Sequence, residues 1–344
     1  MKIIDLRSDT FTLPTEEMYS SIERCKLGDD VFSEDPTVNE LQIESAKLMG
    51  TESALLVPSG TMANLVSILT HCERGSEVIL GDKSHTFVYE AGGISSYGGI
   101  HSRQLKNQDG GLIDLQQIKS AIRADDVHFP KTKLISLENT HNICHGSPIS
   151  VDYIKEVKSI ALENNLKLHI DGARIFNASV ALNVQVEEFG KLTDSITFCL
   201  SKGLSAPIGS MLCGSKDFIH KARYIRKSLG GGMRQAGIIA ASGLISINKM
   251  IPRLKSDHEH AKLIAENLSK INSIEIDVNK IKTNIIYFKL LSTKFDANSF
   301  LNKMLNHNIK FLHIGNNTFR IVTHCGIKTK HIQNIIDAFN TLLN

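Results

Sequence analysis

The 344-residue chain lacks several features that would place it in a common class of protein. Its start has no apolar run of the kind a secretory signal needs, because Asp5, Arg7 and Asp9 fall there. Its longest nearly uncharged stretch, around residues 237–247, is too short and too polar to cross a bilayer. The sequence therefore predicts a soluble, cytoplasmic protein with no membrane partner.

Charge, cysteines and motifs exclude further classes. The 39 basic and 36 acidic side chains nearly balance, with no dense basic run, so no nucleic-acid partner is expected. The six cysteines form no CxxC pair. His141, Cys144 and His145 could gather a metal on a helix, but Gly146 and Pro148 follow, so a loop and no metal are predicted. Glycine-rich nucleotide motifs, HExxH and GxSxG are also missing.

Short apolar runs alternate with amphipathic helical patterns over residues 1–250. This alternation predicts a large α/β domain whose mainly parallel sheet is covered by helices. Beyond residue 250 the pattern changes, and residues 251–344 are predicted to form a small C-terminal α+β domain of two or three strands with helices. The predicted strands of the large domain are Ser53–Val57, Glu77–Leu80, Lys133–Leu137, Lys167–Ile170, Ser195–Leu200 and Ile208–Cys213.

Two of these strands end abruptly in polar residues. LKLHIDGARIF stops its apolar run at Asp171 and Arg174, and SITFCLSKGL stops at Ser201 and Lys202. Open parallel sheets bind ligands at the carboxyl ends of their strands, so this acid and this lysine are expected to meet there. The pair suits pyridoxal phosphate (PLP), with Lys202 as Schiff base and Asp171 on the pyridine nitrogen. The alternatives are a snorkelling lysine and an aspartate that caps a helix near Gly172.

Further segments carry candidate binding groups. In VPSGTMAN, the N–H groups of a helix start, together with Ser59, Gly60 and Thr61, form a predicted phosphate cup. Arg174 is a natural partner for a substrate carboxylate. Arg320, a charge inside the apolar run of NTFRIVTH, is a second carboxylate candidate, with a paired surface arginine as the alternative.

Several polar groups near predicted strand ends could be either functional or structural. These groups are His85, His128, Glu138 and Asn139. The glycine run 230–232, with Lys227 before it and Arg234 after it, could bring cations to a phosphate, including one bound mainly by a neighbouring subunit.

Taken together, DLRSDT, GDDVF, DPTVN, PSGTMAN, LENTHN, HIDGARIFNA, LSKGL, GGGMRQ and RIVTH resemble the low-specificity threonine aldolases nearly end to end. The resemblance implies the aspartate-aminotransferase superfold, PLP fold type I, with its seven-stranded type of sheet. It also implies a PLP-dependent lyase that cleaves L-threonine or L-allo-threonine to glycine and acetaldehyde. The implied assembly is a homotetramer with active sites at subunit interfaces.

The resemblance implies roles residue by residue. The residues implied to contact the cofactor are Lys202, Asp171, Gly60, Thr61, His85, Arg174, Ser201, Lys227 and Arg234. The residues implied to hold the substrate are Ser8, Arg174, Arg320 and His128. Catalysis is assigned to Lys202, Asp171, His85 and His128, with the base left open between the two histidines and a water. The segment ICHGSP at 143–148 departs from the family pattern, which bears on side-chain selectivity.

Two other functions fit the same residues. A β-eliminating lyase acting on a substituted alanine would use the same cofactor and the same fold, and fold alone does not choose the reaction. A non-catalytic PLP-binding protein would keep the fold without turnover. The joint presence of Lys202, Asp171, Arg174 and Arg320 argues against the second alternative.

Overall fold

The structure is a computed structural model, and it describes residues 3–343. Its strands are β1 Ile4–Asp5, β2 Ser53–Val57, β3 Glu77–Gly81, β4 His101–Leu105, β5 Thr132–Glu138, β6 Lys167–Asp171, β7 Ser195–Cys199, β8 Ser210–Gly214, β9 Ile274–Glu275, β10 Ile285–Leu290, β11 Ile309–Lys310, β12 Leu312–His313 and β13 Thr318–Val322. Its α-helices are α1 Glu16–Arg24, α2 Pro36–Met49, α3 Gly60–His71, α4 His85–Val88, α5 Gly93–Gly98, α6 Leu115–Ala121, α7 Val151–Glu163, α8 Ile175–Leu182, α9 Glu187–Lys191, α10 Lys216–Ser228, α11 Gly237–Ile245, α12 Leu254–Leu268, α13 Ala297–Asn306 and α14 Thr329–Leu343.

Seven strands form the large sheet, in the order β2-β8-β7-β6-β5-β3-β4. The pairs from β4 through β7 are parallel, whereas β8 runs antiparallel to both of its neighbours. Four central strands run parallel, so β3, β5, β6 and β7 point their carboxyl ends to the same edge. That edge is where ligands bind in open α/β sheets.

Successive side chains of the large sheet enter different hydrophobic cores. Leu55 of β2 and Leu212 of β8 pack with α3 and α10 on one face. Their neighbours in sequence, Leu56 and Met211, pack into the main core on the other face. This period of two places helices on both faces and explains why the strands read as continuous apolar runs.

The second body has its own sheet, with strands in the order β12-β13-β10-β9, all antiparallel. Its core contains a group of phenylalanines, and it also includes Ile4 and Leu6 from the start of the chain. Strand β1 pairs in parallel with β11. The division at residue 250 stays a prediction, but residues 3–6 pack with the small body, not with the large sheet.

The predicted fold class is confirmed, with differences in detail. Helix α2 begins with proline at its first position: Asp35 caps it by accepting from the backbone of Val38 at 3.0 Å, and Gly50 ends the helix at a φ of 64°. Strand β4 was not predicted, because its half-exposed, polar sequence HSRQL lacks an apolar run. In the small body, β9 is only two residues long. Within the described residues no helix is long and apolar enough to cross a membrane.

Candidate active site

Three neighbouring strands bring polar side chains to one end of the large sheet. Strands β5 and β6 pair Glu138 with Asp171 in register, so both carboxylates leave the sheet at the same edge. Strand β7 runs parallel to β6, and the half-buried Lys202 follows soon after its last residue. The fold thus brings the predicted acid and lysine to the same edge.

Asp171 is 3% exposed, and both of its oxygens are held. Oδ1 accepts from the backbone N–H of Ala173 at 3.1 Å, and Oδ2 accepts from the Asn64 amide at 2.8 Å. Helix α8 starts only at Ile175, with Arg174 as its N-cap, so Asp171 is not the helix cap that the simpler interpretation proposed. A buried carboxylate without a capping role is consistent with a ligand contact.

His85 opens α4 and is tied to two glutamates. Its backbone N–H donates to Glu138 Oε2 at 2.6 Å, and its ring Nδ1 lies 2.9 Å from Glu90 Oε1. Burial alone would lower the pKa of His85, but the hydrogen bond to Glu90 and the nearby charge of Asp171 raise it overall. Since Glu90 occupies Nδ1, Nε2 is the ring nitrogen left for a ligand.

His85, Glu90 and Asp171 place ligand atoms within 4.8 Å of one another, a spacing that could suit a metal ion. The amide of Asn64 lies between the two carboxylates, because Nδ2 donates to Glu90 Oε1 at 2.9 Å as well as to Asp171. A donor N–H group in that position would repel a cation. We therefore interpret the cluster as a hydrogen-bonded network around Asp171.

Arg174 forms a buried ion pair with Asp9. Its Nε and Nη2 donate to the two carboxylate oxygens at 2.8 and 2.7 Å, and Asp9 is fully buried. Burial would raise the pKa of Asp9, but Arg174 and the nearby positive charge of Lys202 hold it well below its usual range. Ser8, half-buried beside Asp9, caps a short turn by accepting from the backbone of Thr10.

Among the described residues, the hydrogen-bond partners of Arg320, on β13, carry no charge. Its Nη1 donates to the side-chain oxygen of Asn142 and its Nη2 to the carbonyl of Arg7, both at 3.1 Å. Its Nε is buried without a hydrogen-bond partner among the described residues. Tyr287 lies opposite Arg320 in the sheet. Burial raises the pKa of its hydroxyl, and the positive charges of Arg320 and Arg174 oppose this rise.

The start of α3 matches the predicted phosphate cup in form. Ser59 is the N-cap and accepts from the backbone of Met62, while the N–H groups of Gly60 and Thr61 have no partner within the helix. Gly231 lies against this turn, since a Cβ added there would meet the Met62 sulfur. The glycine run therefore packs beside the cup.

Three further residues were predicted to contact the cofactor. Lys227 is exposed on α10. The exposed Arg234 pairs with Asp29, its Nη1 lying 2.9 Å from an aspartate oxygen. Ser201 is half-buried, next to Lys202. Their assigned roles stay predictions.

The structure places His128 away from the site of its own chain, so its role at the substrate stays a prediction. Its ring is 80% exposed and pairs with Asp126 in the loop before β5. That loop joins β5 at Thr132, and Glu138, at the site, is about 20 Å away along the strand. The length of strand β5 thus separates His128 from the site of its own chain.

The divergent segment 143–148 forms the predicted loop, not a metal-binding helix. The ring of His145 contacts the Tyr287 ring at 4.9 Å, and the carbonyl of Gly146 accepts from Thr283 at 2.7 Å. The loop thus joins the small body beside Arg320. An effect of the loop on side-chain selectivity stays a prediction.

Sequence reasoning missed the residues that hold the site residues in place. Asn64, Glu90, Asp9, Asn142 and Tyr287 were not singled out, although a polar Asn64 between Ala63 and Leu65 in an apolar helix was a usable signal. The others pair with residues far away in sequence, for example Asp9 with Arg174 across 165 positions. No local pattern contains such pairings.

Comparisons with known proteins agree with this geometry. The beta-eliminating lyase family matches residues 5–290. The chain is 46% identical to low-specificity L-threonine aldolase 1 of Arabidopsis thaliana, covering 98% of this chain and 96% of that one. It is 44% identical to the low specificity L-threonine aldolase of Escherichia coli K12, covering 84% and 85%.

Solved structures show the same fold at low sequence identity. The threonine aldolase of Leishmania major has a TM-score of 0.82 at 17% identity and covers 99% of both chains. A structure of SPT with PLP has a TM-score of 0.78 at 16% identity, over 98% of this chain and 87% of that one. The fold is thus one that PLP enzymes use.

Proposed function

The chain belongs to the beta-eliminating lyase family and, within it, groups with the low-specificity L-threonine aldolases, and on that basis we propose that it uses PLP to cleave L-threonine and L-allo-threonine to glycine and acetaldehyde. The observation that carries the proposal is the meeting of Asp171, Lys202 and the start of α3 at one edge of a PLP-type fold. These groups come from separate segments and serve no shared structural purpose.

The residues present fit PLP at both of its ends. The N–H groups of Gly60 and Thr61, which have no partner within the helix, and the hydroxyl of Ser59 suit a phosphate at a helix N-terminus. Asp171 suits a protonated ring nitrogen, because a buried carboxylate stabilises a positive charge beside it. Lys202 supplies the amine for covalent attachment. When bound, PLP stores in its ring the electron pair released by cleavage of the Cα–Cβ bond.

The chain's own residues would hold the amino acid and handle its proton. Arg320 and Arg174, whose charges both reach the Tyr287 hydroxyl, are proposed to bind the substrate carboxylate and so to select which Cα bond breaks. Ser8 is proposed to assist at the same carboxylate. Of the two histidines considered as base, His85 is the one at this end of the sheet, and its free Nε2 is proposed to take the proton of the β-hydroxyl, directly or through a water.

The assembly and location are proposed from the resemblance. We propose a homotetramer in the cytoplasm, with active sites completed at subunit interfaces by Lys227, Arg234 and His128. Support comes from apolar side chains exposed right beside His85: Phe87, Val88 and Tyr89 are 40 to 57% exposed. Such patches are typical of surfaces that another subunit covers. Light scattering on the purified protein would test the subunit number.

The reaction is tested with PLP-loaded protein and L-threonine in the absence of any keto acid. We expect glycine and acetaldehyde in equal amounts, and no cleavage of alanine, which lacks the β-hydroxyl. Ammonia and 2-oxobutanoate in place of glycine would favour an eliminating lyase and would overturn the aldolase proposal. No turnover with bound PLP would favour a non-catalytic protein.

The attachment site has its own test. Borohydride reduction of the loaded protein should fix the cofactor to the peptide that contains Lys202, and Lys202→Ala should abolish the label. Lys227→Ala is the matched control and should keep the label on Lys202. A label on another lysine would show that Lys202 is not the attachment site.

A further inference from the structure

Asn64 is the most fully engaged polar side chain beside Asp171. It is 1% exposed, in the first turns of α3. Its Nδ2 donates to Asp171 and Glu90, and its Oδ1 lies 3.2 Å from His169 Nε2 and 3.3 Å from Thr197 Oγ1. Two donor and two acceptor positions are therefore all in use, which is the full capacity of an amide.

The partners fix which way the amide points. Asp171 is acceptor-only when ionised, so the amide must present Nδ2 to that side and Oδ1 to the other. His169 Nε2 must then donate to Oδ1, which assigns its proton to Nε2. His169 Nδ1 is left as an acceptor for Ser67 or Ser195, each 2.9 Å away.

His169 takes part as a neutral group. Burial lowers its pKa to about 4, and the opposing charge of Asp171 does not restore it. It lies two residues before Asp171 on β6, and both are fully or almost fully buried. Successive odd positions of a strand share a face, so the histidine and the aspartate both meet α3.

We propose that Asn64 and His169 are positioning residues for the cofactor. His169 Nε2 orients the Asn64 amide by donating to its Oδ1. The amide in turn fixes Asp171 Oδ2, while the N–H of Ala173 holds Oδ1. The proposal rests on the proposed function, because Asp171 needs a fixed direction only if it pairs with the PLP ring nitrogen. Without the amide, Asp171 and Glu90 would be left facing each other, and like charges would push them apart.

Two substitutions of His169 distinguish the role of its Nε2 from that of its Nδ1. His169→Gln can place an amide N–H where Nε2 donates to Asn64, whereas His169→Asn is too short to reach Asn64. Asn64→Ala removes the link altogether. His71→Gln is the matched control: His71 is half-buried and bonds Ser195 at 2.8 Å, but it contacts neither Asn64 nor Asp171 in the described structure.

The test measures equilibrium binding of PLP, the absorption spectrum of the bound cofactor, and then kcat and KM with threonine. Losing a hydrogen bond to a charged group should weaken PLP binding by about tenfold to a hundredfold in Asn64→Ala. His169→Asn should shift the spectrum and weaken binding in the same direction, and kcat should fall more than KM rises. His169→Gln should restore most of the binding, and His71→Gln should match the wild type.

Circular dichroism checks the fold of each variant, and if Asn64→Ala does not fold, the His169 pair decides. Equal loss in His169→Gln and His169→Asn, or wild-type spectra in both, would overturn the proposal. A wild-type protein that binds no PLP would instead overturn the proposed function. Wild-type binding with unchanged variants would leave the proposed function intact and remove only this inference.

Discussion

Arg174 in the large body and Arg320 in the small body both lower the pKa of the Tyr287 hydroxyl, but they differ in their burial and in the charge of their partners. Arg174 is 7% exposed and its charge is matched by a fully buried Asp9 through two hydrogen bonds. Arg320 is half-buried, and its side chain donates to the oxygens of Asn142 and Arg7, which carry no charge.

The difference indicates which arginine can pair with a bound anion. An arginine already paired with a buried carboxylate mainly stabilises the fold, because breaking that pair leaves an uncompensated charge. An arginine held by neutral oxygens keeps its attraction for an anion. The geometry therefore favours the proposal that Arg320 is the main partner of the substrate carboxylate. Arg174 is held in one position by its two hydrogen bonds to Asp9.

The largest expected effect concerns stability. Arg174→Met leaves Asp9 buried and unpaired, so the free energy of unfolding should fall by about 3–5 kcal/mol. Arg320→Met loses two hydrogen bonds at a half-buried site and should cost about 1–2 kcal/mol. Urea denaturation followed by circular dichroism measures both values, and equal losses would remove the distinction between the two arginines.

The next effect concerns the substrate. Arg320→Lys keeps the charge but loses the two-pronged donor geometry, so kcat/KM for threonine should fall about tenfold to a hundredfold while the unfolding free energy changes little. Arg7→Lys is the matched control, because Arg7 gives Arg320 only its backbone carbonyl and pairs its own side chain with Asp5. Unchanged kinetics in Arg320→Lys would show that the small body supplies no carboxylate clamp.

The contrast between the arginines also marks what the sequence can predict. The alternation of strands and helices is local, so the α/β class, most strands of the large sheet, and the placing of Asp171 and Lys202 at strand ends followed from it. Arg174 and Arg320 could be named as candidates from their neighbours in sequence. Their different surroundings could not, since Asp9 and Asn142 reach them from 165 and 178 positions away.

The same reason explains why the sequence could not place His128. It was named as a polar group near a predicted strand end, but the sequence did not show at which end of that strand it would lie. Strand β5 enters the sheet just after His128 and leaves it at Glu138, so the chain's direction puts the two at opposite ends. Direction within a parallel sheet is a tertiary property, and a residue just before a strand lies away from the ligand edge.

The smallest expected effect concerns His85 and Glu90, a pair between the two extremes. The His85 ring is partly exposed and its partner Glu90 is buried. Burial and the charge of Asp171 raise the pKa of Glu90. A histidine whose folded pKa is raised adds stability below its unfolded pKa of about 6.5 and loses that stability as the pH rises through the folded value.

Glu90→Gln removes the acceptor for Nδ1–H, so the NMR titration midpoint of His85 should fall. Tyr89→Leu, which removes a ring contact at 5.5 Å without changing charge, is the control and should leave the midpoint in place. A midpoint that does not move in Glu90→Gln would assign the raised pKa to Asp171 alone, and His85 would then be tuned by the same carboxylate that is proposed to hold the cofactor.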